Sequence, residues 1–294
     1  MARRKLIAQI FLNLVFIMLV LITAGPFWML VTSSLTDEAA LVRNGYNFWP
    51  SQFSIYSYQY IFMSSGTIFN AYKITILVTV LGTIASMLIT IMLAYPLSRK
   101  ELPGRMIVSF FIFFTMLFNG GLVPTYMMWT QTFHIKNTIW ALIVPSLLMS
   151  AYNVILMRSF FTSNIPDSII EAARIDGARE FRILFSIVIP LSKPMMATLA
   201  MMIGLRYWND WTNSLYYVNK AYLFSVQAIL NNMLTNIQFL SEHPDLGNSS
   251  AMQSVPSVGI RMAIAVVGAI PILLIYPFFQ KYFVKGIVVG GIKG

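Results

Sequence analysis

Residues Ile74 to Leu97 read ITILVTVLGTIASMLITIMLAYPL, 24 positions without Asp, Glu, Lys or Arg. A bilayer core takes about 20 apolar residues in helical form, because each residue rises about 1.5 Å and every backbone group must be bonded within the segment. The stretch reads as a membrane span. On either side of it, Leu6 to Val31, Met106 to Met128, Thr138 to Met157 and Met262 to Phe279 are equally uncharged. Pro190 to Trp208 makes a sixth, with Lys193 near its start and Arg206 near its end. Hydrophobic residues form 57% of the chain and charged residues 10%, against about 25% charged in an ordinary globular domain. The expected fold is all-α, one polytopic transmembrane domain over residues 1–294.

Lysine and arginine set the orientation. With the N-terminus inside, fourteen of the twenty fall on inner segments: Arg3, Arg4, Lys5, Arg99, Lys100, Arg105, Arg158, Arg174, Arg179, Arg182, Lys193, Lys281, Lys285 and Lys293. Cytoplasmic loops carry this excess, so the bias predicts six spans with both ends inside. Arg3, Arg4 and Lys5 before an apolar run could also open a signal peptide. That run passes 20 residues to Gly25-Pro26-Phe27-Trp28 without a small-residue cleavage site, so it reads as a retained span. The outer loops, 32–69 and 212–257, are long. Tyr46, Phe48, Trp49, Phe53, Tyr56, Tyr58 and Tyr60 give the first an interfacial character, and Gly247-Asn248-Ser249-Ser250 marks a turn in the second.

Several chemistries are excluded. The chain has no cysteine, and its two histidines, His134 and His243, lie far apart, so no thiolate chemistry and no histidine metal centre is expected. The net charge of +10 follows from topology, and no basic cluster interleaved with aromatics points to nucleic acid. No Gly-x4-Gly-Lys-Ser/Thr phosphate loop is present, so the chain carries no ATPase site of the usual kind.

The inner segment Ser163 to Pro190 reads SNIPDSIIEAARIDGAREFRILFSIVIP. Asn164 can cap a helix whose first turn holds Pro166 and Asp167. The helix is expected to pass through Ala172 and Ala173 and stop at Asp176-Gly177, where glycine permits the left-handed turn. A second helix should run from about Ala178 to Pro190. Together they form a knob with apolar Ile169, Phe181, Leu184 and Phe185 and charged Glu171, Arg174 and Arg179. Physics alone allows either a docking element or an amphipathic helix lying on lipid headgroups.

Glu171-Ala172-Ala173, three residues, Gly177, nine residues, Ile187, one residue, Ile189 and Pro190 resembles the EAA signature of permease subunits in ATP-binding-cassette importers. The family usually has leucine at Ile189, a volume-conserving change. The resemblance covers essentially the whole chain and is closest to the maltose-type carbohydrate permeases, including Trp208-Asn209-Asp210 and the ending Phe283-Val284-Lys285-Gly286 with Gly290-Gly291-Ile292-Lys293-Gly294. Phe118 to Tyr126 is similar to the branch for complex oligosaccharides.

The resemblance implies a type I importer in a bacterial cytoplasmic membrane. Its parts are two permease subunits, two cytoplasmic ATPases that bind ATP and magnesium, and an extracytoplasmic binding protein that delivers the sugar. Segment 163–189 would couple to an ATPase through Glu171, Ala172, Ala173, Asp176, Gly177, Ala178, Ile187 and Pro190. The tail, 284–294, would reach the ATPase dimer through Lys285, Gly290, Gly291 and Lys293, and loop 212–257 would face the binding protein.

A sugar path needs hydrogen-bonding groups and flat aromatic faces. Thr75, Thr79, Thr83, Ser86 and Thr90 form a hydroxyl stripe on the second span, and Ser146, Ser150 and Asn153 a similar one on the fourth. Helix packing is the stronger reading of such stripes, since small and hydroxyl residues fill membrane helix interfaces. Asn119-Gly120-Gly121 interrupts the third span, and unwound backbone at membrane depth must be buried in protein or line a cavity. A charge at Arg206 calls for a partner or a wet cavity, and Asp210, four residues on, can reach it. With Trp208 and Asn209 the two either flank the path or form a structural ion pair near the outer interface, with Trp208 as anchor. An ion-coupled secondary transporter is the rival reading. It calls for coupling carboxylates or paired broken half-helices, which the sequence does not display. An intramembrane enzyme would need a catalytic cluster.

Overall fold

A computed structural model describes residues 2–63, 65–242 and 257–290. The described residues are helical apart from turns and one isolated antiparallel bridge, Thr36 to Phe53. In chain order the helices are α1 (Ala2–Ser34), α2 (Glu38–Asn44), α3 (Tyr56–Phe62), α4 (Ser65–Ser98) and α5 (Arg105–Leu117). Next come α6 (Leu122–Thr132), α7 (Trp140–Ile143), α8 (Ala151–Asn164), α9 (Asp167–Ile175) and α10 (Glu180–Leu191). Last are α11 (Lys193–Trp208), α12 (Thr212–Tyr217), α13 (Val226–Glu242) and α14 (Ser257–Gly290).

Three stretches are long and apolar enough to cross a membrane alone: Gln9–Ser34, Gly66–Ser98 and Val258–Phe278. Two bent pairs raise this to five, α5 with α6 at 114° and α10 with α11 at 84°. The most apolar window of Gln9–Ser34 has a mean hydropathy of 2.5 and none of it is buried in the protein. A helix apolar all round and bare on every side needs lipid or a partner helix as solvent.

The chain divides into two compact units, Met1–Ile68 with Leu230–Pro271 and Phe69–Ile229 with Ile272–Gly294. In the first, the Trp28 indole donates to Phe48 O at 2.8 Å and Thr32 to Asn47 O at 2.8 Å, which fastens the following loop to the end of α1. Glu38 closes the start of α14. Its Oε1 accepts from Val258 N at 3.0 Å and its Oε2 from Gly259 N at 2.8 Å. Those N–H groups belong to a first turn that has no partners within its own helix, and a carboxylate there also meets the positive dipole end. Both Glu38→Ala and Glu38→Gln are expected to lower stability, by about 1–2 kcal/mol. Glutamine fails because it has one acceptor oxygen for two donors. Thermal unfolding in detergent checks this.

The second unit holds the main core. Tyr95, Leu142, Val154, Phe161, Ile170, Ile183, Leu199 and Tyr207 belong to one buried cluster spanning α4, α7, α8, α9, α10 and α11. Gly82 makes a close crossing possible: a Cβ built there would lie 2.4 Å from the Tyr207 ring. The hydroxyl stripe of α4 points into this packing. Thr75 Oγ1 accepts from Val226 N at 2.9 Å, and Ser86 and Thr90 are completely buried.

The expected span 138–157 is not one helix. Pro145 lacks an N–H and clashes with the preceding turn, α7 ends at Ile143, Ser146 adopts φ +59° and α8 starts only at Ala151. The stripe of Ser146, Ser150 and Asn153 therefore does not exist as a helix face.

Candidate functional site

The knob is built by α9 and α10. Pro166 precedes α9 and Asp167 stands in its first turn, as the local chemistry requires. Asn164 is not the cap. It is the last residue of α8, and its Nδ2 donates back to Phe160 O at 3.3 Å. The end of α9 is a glycine-terminated turn: Asp176 N donates to Ala172 O at 3.0 Å, Gly177 N to Arg174 O at 3.0 Å and Ala178 N to Ala173 O at 2.9 Å. Gly177 stands at φ +77°, the left-handed region that disfavours side chains.

Helix α9 is two-faced. Ile170 and Ala173 are buried and join the core, whereas Glu171, Ala172, Asp176 and Gly177 are exposed and Ile175 is 86% exposed. The inward apolar side is already covered by protein, so this helix does not spend it on lipid. What remains outside is a surface of small and charged residues, with Ile169 and Ile175 as its exposed large apolar side chains. Ala178 and Ile187 are half-buried, and Pro190 is exposed on α10.

Every ion pair among the described residues lies around this knob. Arg174 Nε donates to Glu180 Oε1 at 2.9 Å, Arg174 Nη1 is 3.6 Å from Glu101 Oε2, and Arg99 Nη1 is 3.4 Å from Asp167 Oδ1. Tyr95 donates its hydroxyl to Glu180 Oε2 at 2.6 Å, and its ring packs edge-on against Phe161. Glu180 thus ties α9, α10 and the C-terminal end of α4 into one junction. A cavity of about 380 Å³, lined by Tyr95, Arg99, Arg174, Glu180, Phe181 and others, lies beside it. Neither Tyr95 nor Glu180 stood out in the sequence. The only signal was Tyr95 near the end of an apolar run and Glu180 three residues after Gly177.

The expected Arg206 to Asp210 ion pair does not form among the described residues. Arg206 Nη2 donates to Ser146 O at 3.0 Å, Asn213 Nδ2 to Pro145 O at 3.0 Å and the Tyr207 hydroxyl to Ile143 O at 2.9 Å. Three side chains from one end of α11 and from α12 satisfy three carbonyls that the break between α7 and α8 leaves without helical partners. The cause of the error is that break: intact helix would have bonded these carbonyls and left Arg206 free for Asp210. Asp210 instead accepts from Asn213 N at 3.3 Å.

Burial pushes the Asp210 carboxyl up to about 6, while N–H donors from Asn213 and Thr212 and the Arg206 charge pull the other way. A carboxyl whose folded value lies above the unfolded one, about 3.9, binds its proton more tightly when folded. Stability is therefore gained as pH falls from above 6 toward 4 and is absent at higher pH. We expect the thermal midpoint in detergent to rise from about pH 7.5 to about pH 5, and Asp210→Asn, which still accepts from Asn213, to flatten that rise.

The other expected path residues are dispersed. Asn119 is exposed, with its Oδ1 accepting from Gly121 N at 2.9 Å in the break between α5 and α6. Asn153 is buried with its Nδ2 facing no acceptor. Trp208 is buried, its ring 6.3 Å from that of Tyr72. Asn209 is exposed and closes the end of α11 by donating to Leu205 O at 3.0 Å. A cavity of about 300 Å³ lies between Thr79, Thr83, Met201, Gly204, Trp208 and Tyr276. No three carboxylates or histidines gather as a metal site among the described residues. Of the expected tail contacts, Lys285 and Gly290 fall in α14 turns whose side chains lie outside the described residues. Gly291 and Lys293 lie outside them altogether.

Comparison with known proteins gives a consistent picture. Residues 74–289 match the family described as binding-protein-dependent transport system inner membrane component. The chain is 36% identical over 278 residues to the polygalacturonan/rhamnogalacturonan transport system permease protein YtcP of Bacillus subtilis, covering 95% of each chain. It is 34% identical to protein LplC of the same organism, over 93% of this chain and 90% of that one. Among solved structures, a chain from a bacterial ABC transporter involved in the import of the acidic polysaccharide alginate aligns with a TM-score of 0.77 and 27% identity. That alignment covers 96% of this chain and 98% of the other.

Proposed function

This chain belongs to the family of binding-protein-dependent transport system inner membrane components, multi-pass proteins of the cell membrane, and from that premise we propose that it is one permease subunit of an importer for oligosaccharides. Its partners are a second permease, two cytoplasmic ATPases that hold ATP and magnesium, and an extracytoplasmic binding protein. Six spans, with both ends inside, surround the path. The names of the similar permeases, for polygalacturonan, rhamnogalacturonan and alginate, support a sugar polymer fragment as cargo.

The observation that carries the coupling role is the two-faced α9. Its inner side is anchored in the core through Ile170 and Ala173, and its outer side presents Ala172, Asp176 and the bare Ile175. An ATPase cleft that grips this outer face would move α9 as a rigid body. Glu180, bonded to both Arg174 and Tyr95, would pass that movement to α4. In this reading Gly177, Ala178, Ile187 and Pro190 set the angle between α9 and α10, and the 284–294 tail reaches the ATPase pair. Arg206, with Tyr207 and Asn213, holds the broken fourth span open beside the path, and Asn119, Asn153, Trp208, Asn209 and Asp210 lie along it.

The test is uptake by vesicles reconstituted with the complete importer. Labelled oligosaccharide should accumulate only with ATP inside and binding protein outside, and collapsing ion gradients should leave it unchanged. Accumulation by this chain alone, driven by an ion gradient without ATP, would overturn the proposal in favour of a secondary transporter.

A further inference from the structure

Resting on that import reading, we infer that the end of the second unit remote from the knob is a recognition rim for oligosaccharides that carry carboxylates, the uronates. The molecule's charges are sorted. All the ion pairs among the described residues lie at the knob end. Lys73 and Ser98 stand 25 residues apart on the one helix α4, about 38 Å at the helical rise. At the far end Lys73, Lys136 and Lys220 make no ion pair among the described residues, and each rests instead on an aromatic ring. Lys73 Nζ is 4.6 Å from the Phe69 ring centre, Lys136 5.4 Å from that of Tyr126 and Lys220 5.8 Å from that of Tyr222.

Backbone anchors gather these three into one place. Asn70, one helical turn from Lys73, donates to Tyr222 O at 2.6 Å. Asn137, next to Lys136, accepts from Asn219 N at 2.6 Å and its own N–H donates to Tyr217 O at 3.0 Å. Segment 217–222 is therefore anchored near Lys73 at Tyr222 and near Lys136 at Tyr217 and Asn219, with Lys220 between these anchors. Tyr126 stacks on Tyr217 with ring centres 5.9 Å apart, and Lys136 Nζ donates to the Tyr126 hydroxyl at 2.8 Å. The nearest acidic side chain in sequence, Asp210, is turned to Asn213 N.

The chemistry selects the ligand. A sugar ring offers an apolar C–H face to an aromatic side chain, and a uronate adds one carboxylate per unit to a lysine. A neutral sugar would gain only hydrogen bonds from these three ammonium groups, whereas a polyanion is also drawn to their charge and retained. On the proposed topology this rim faces outward, where cargo arrives.

The experiment uses the complete importer and compares trigalacturonate with its carboxyl-reduced neutral counterpart. ATP-driven uptake of both, and direct binding of each to the purified complex without binding protein, are measured for wild type and for Lys73→Gln/Lys136→Gln/Lys220→Gln. Uptake and binding of trigalacturonate should fall at least about tenfold and weaken with salt, the neutral sugar should be unaffected, and the triple arginine variant should restore uronate handling. Equal losses for both sugars, or reduced capture of the binding protein with sugar binding intact, would overturn the rim as a uronate site, as would no loss at all. Absence of ATP-driven uptake of either sugar by wild type would instead strike the import reading, and the binding comparison would still decide the rim.

Discussion

Replacing Gly82 with valine should abolish accumulation of the folded protein. A Cβ at this position would stand 2.4, 2.5 and 2.7 Å from three atoms of the Tyr207 ring, so the ring must leave. Tyr207 is 2% exposed and bonded through its hydroxyl to Ile143 O, so it has no free space to move into. Overpacking costs about 1–3 kcal/mol, and the stranded Ile143 carbonyl in a buried site adds about 1–3 kcal/mol. Against a total stability of about 5–15 kcal/mol that is decisive. Tyr207→Phe, which loses only the hydrogen bond, should be milder. Gly82→Val with Tyr207→Ala should accumulate better than Gly82→Val alone, because the clash is gone. Fluorescence-detected size-exclusion chromatography reads all three, and a Gly82→Val protein as abundant as wild type would refute the crossing.

Gly177→Asp should do the reverse, sparing the fold and removing transport. Apart from its own chain neighbours, no atom lies within 4 Å of a Cβ built on Gly177, so nothing in the core is displaced. The φ of +77° costs a side chain about 1–2 kcal/mol, and a second carboxylate beside Asp176 faces the negative end of the α9 dipole. Both penalties fall on the exposed surface that the coupling proposal assigns to the ATPase. Uptake should drop at least about tenfold, the equivalent of about 1.4 kcal/mol of docking, while membrane insertion stays within about twofold. Gly177→Ala, with the strain but not the charge, should lie between. Uptake at the wild-type rate in Gly177→Asp would remove Gly177 from the coupling surface.

These two glycines show what could be read from the sequence. Gly177 was legible because a helix stop is local: Asp176-Gly177 after an amphipathic run predicts a left-handed turn, and α9 ends there. The Asn119-Gly120-Gly121 interruption was legible for the same reason. Gly82 was not, since its partner Tyr207 lies 125 positions away and glycine inside an apolar span has no local signature. The break at Pro145-Ser146 carried a signal in its proline, but an uncharged run reads as one span when hydropathy alone is weighed. That misreading spread to Arg206, whose real partner is a carbonyl that the break releases. Glu180 was missed because its importance comes from Tyr95, a residue on a different helix.

The chain has no native cysteine, so Ala172→Cys places a single thiol on the exposed face of α9. In native membranes a short thiol-to-amine crosslinker at this position should join the chain to an ATPase subunit, with a yield that changes when nucleotide is trapped in the complex. A thiol that reacts only with bilayer-confined reagents, and gives no ATPase adduct, would contradict the coupling role of this knob.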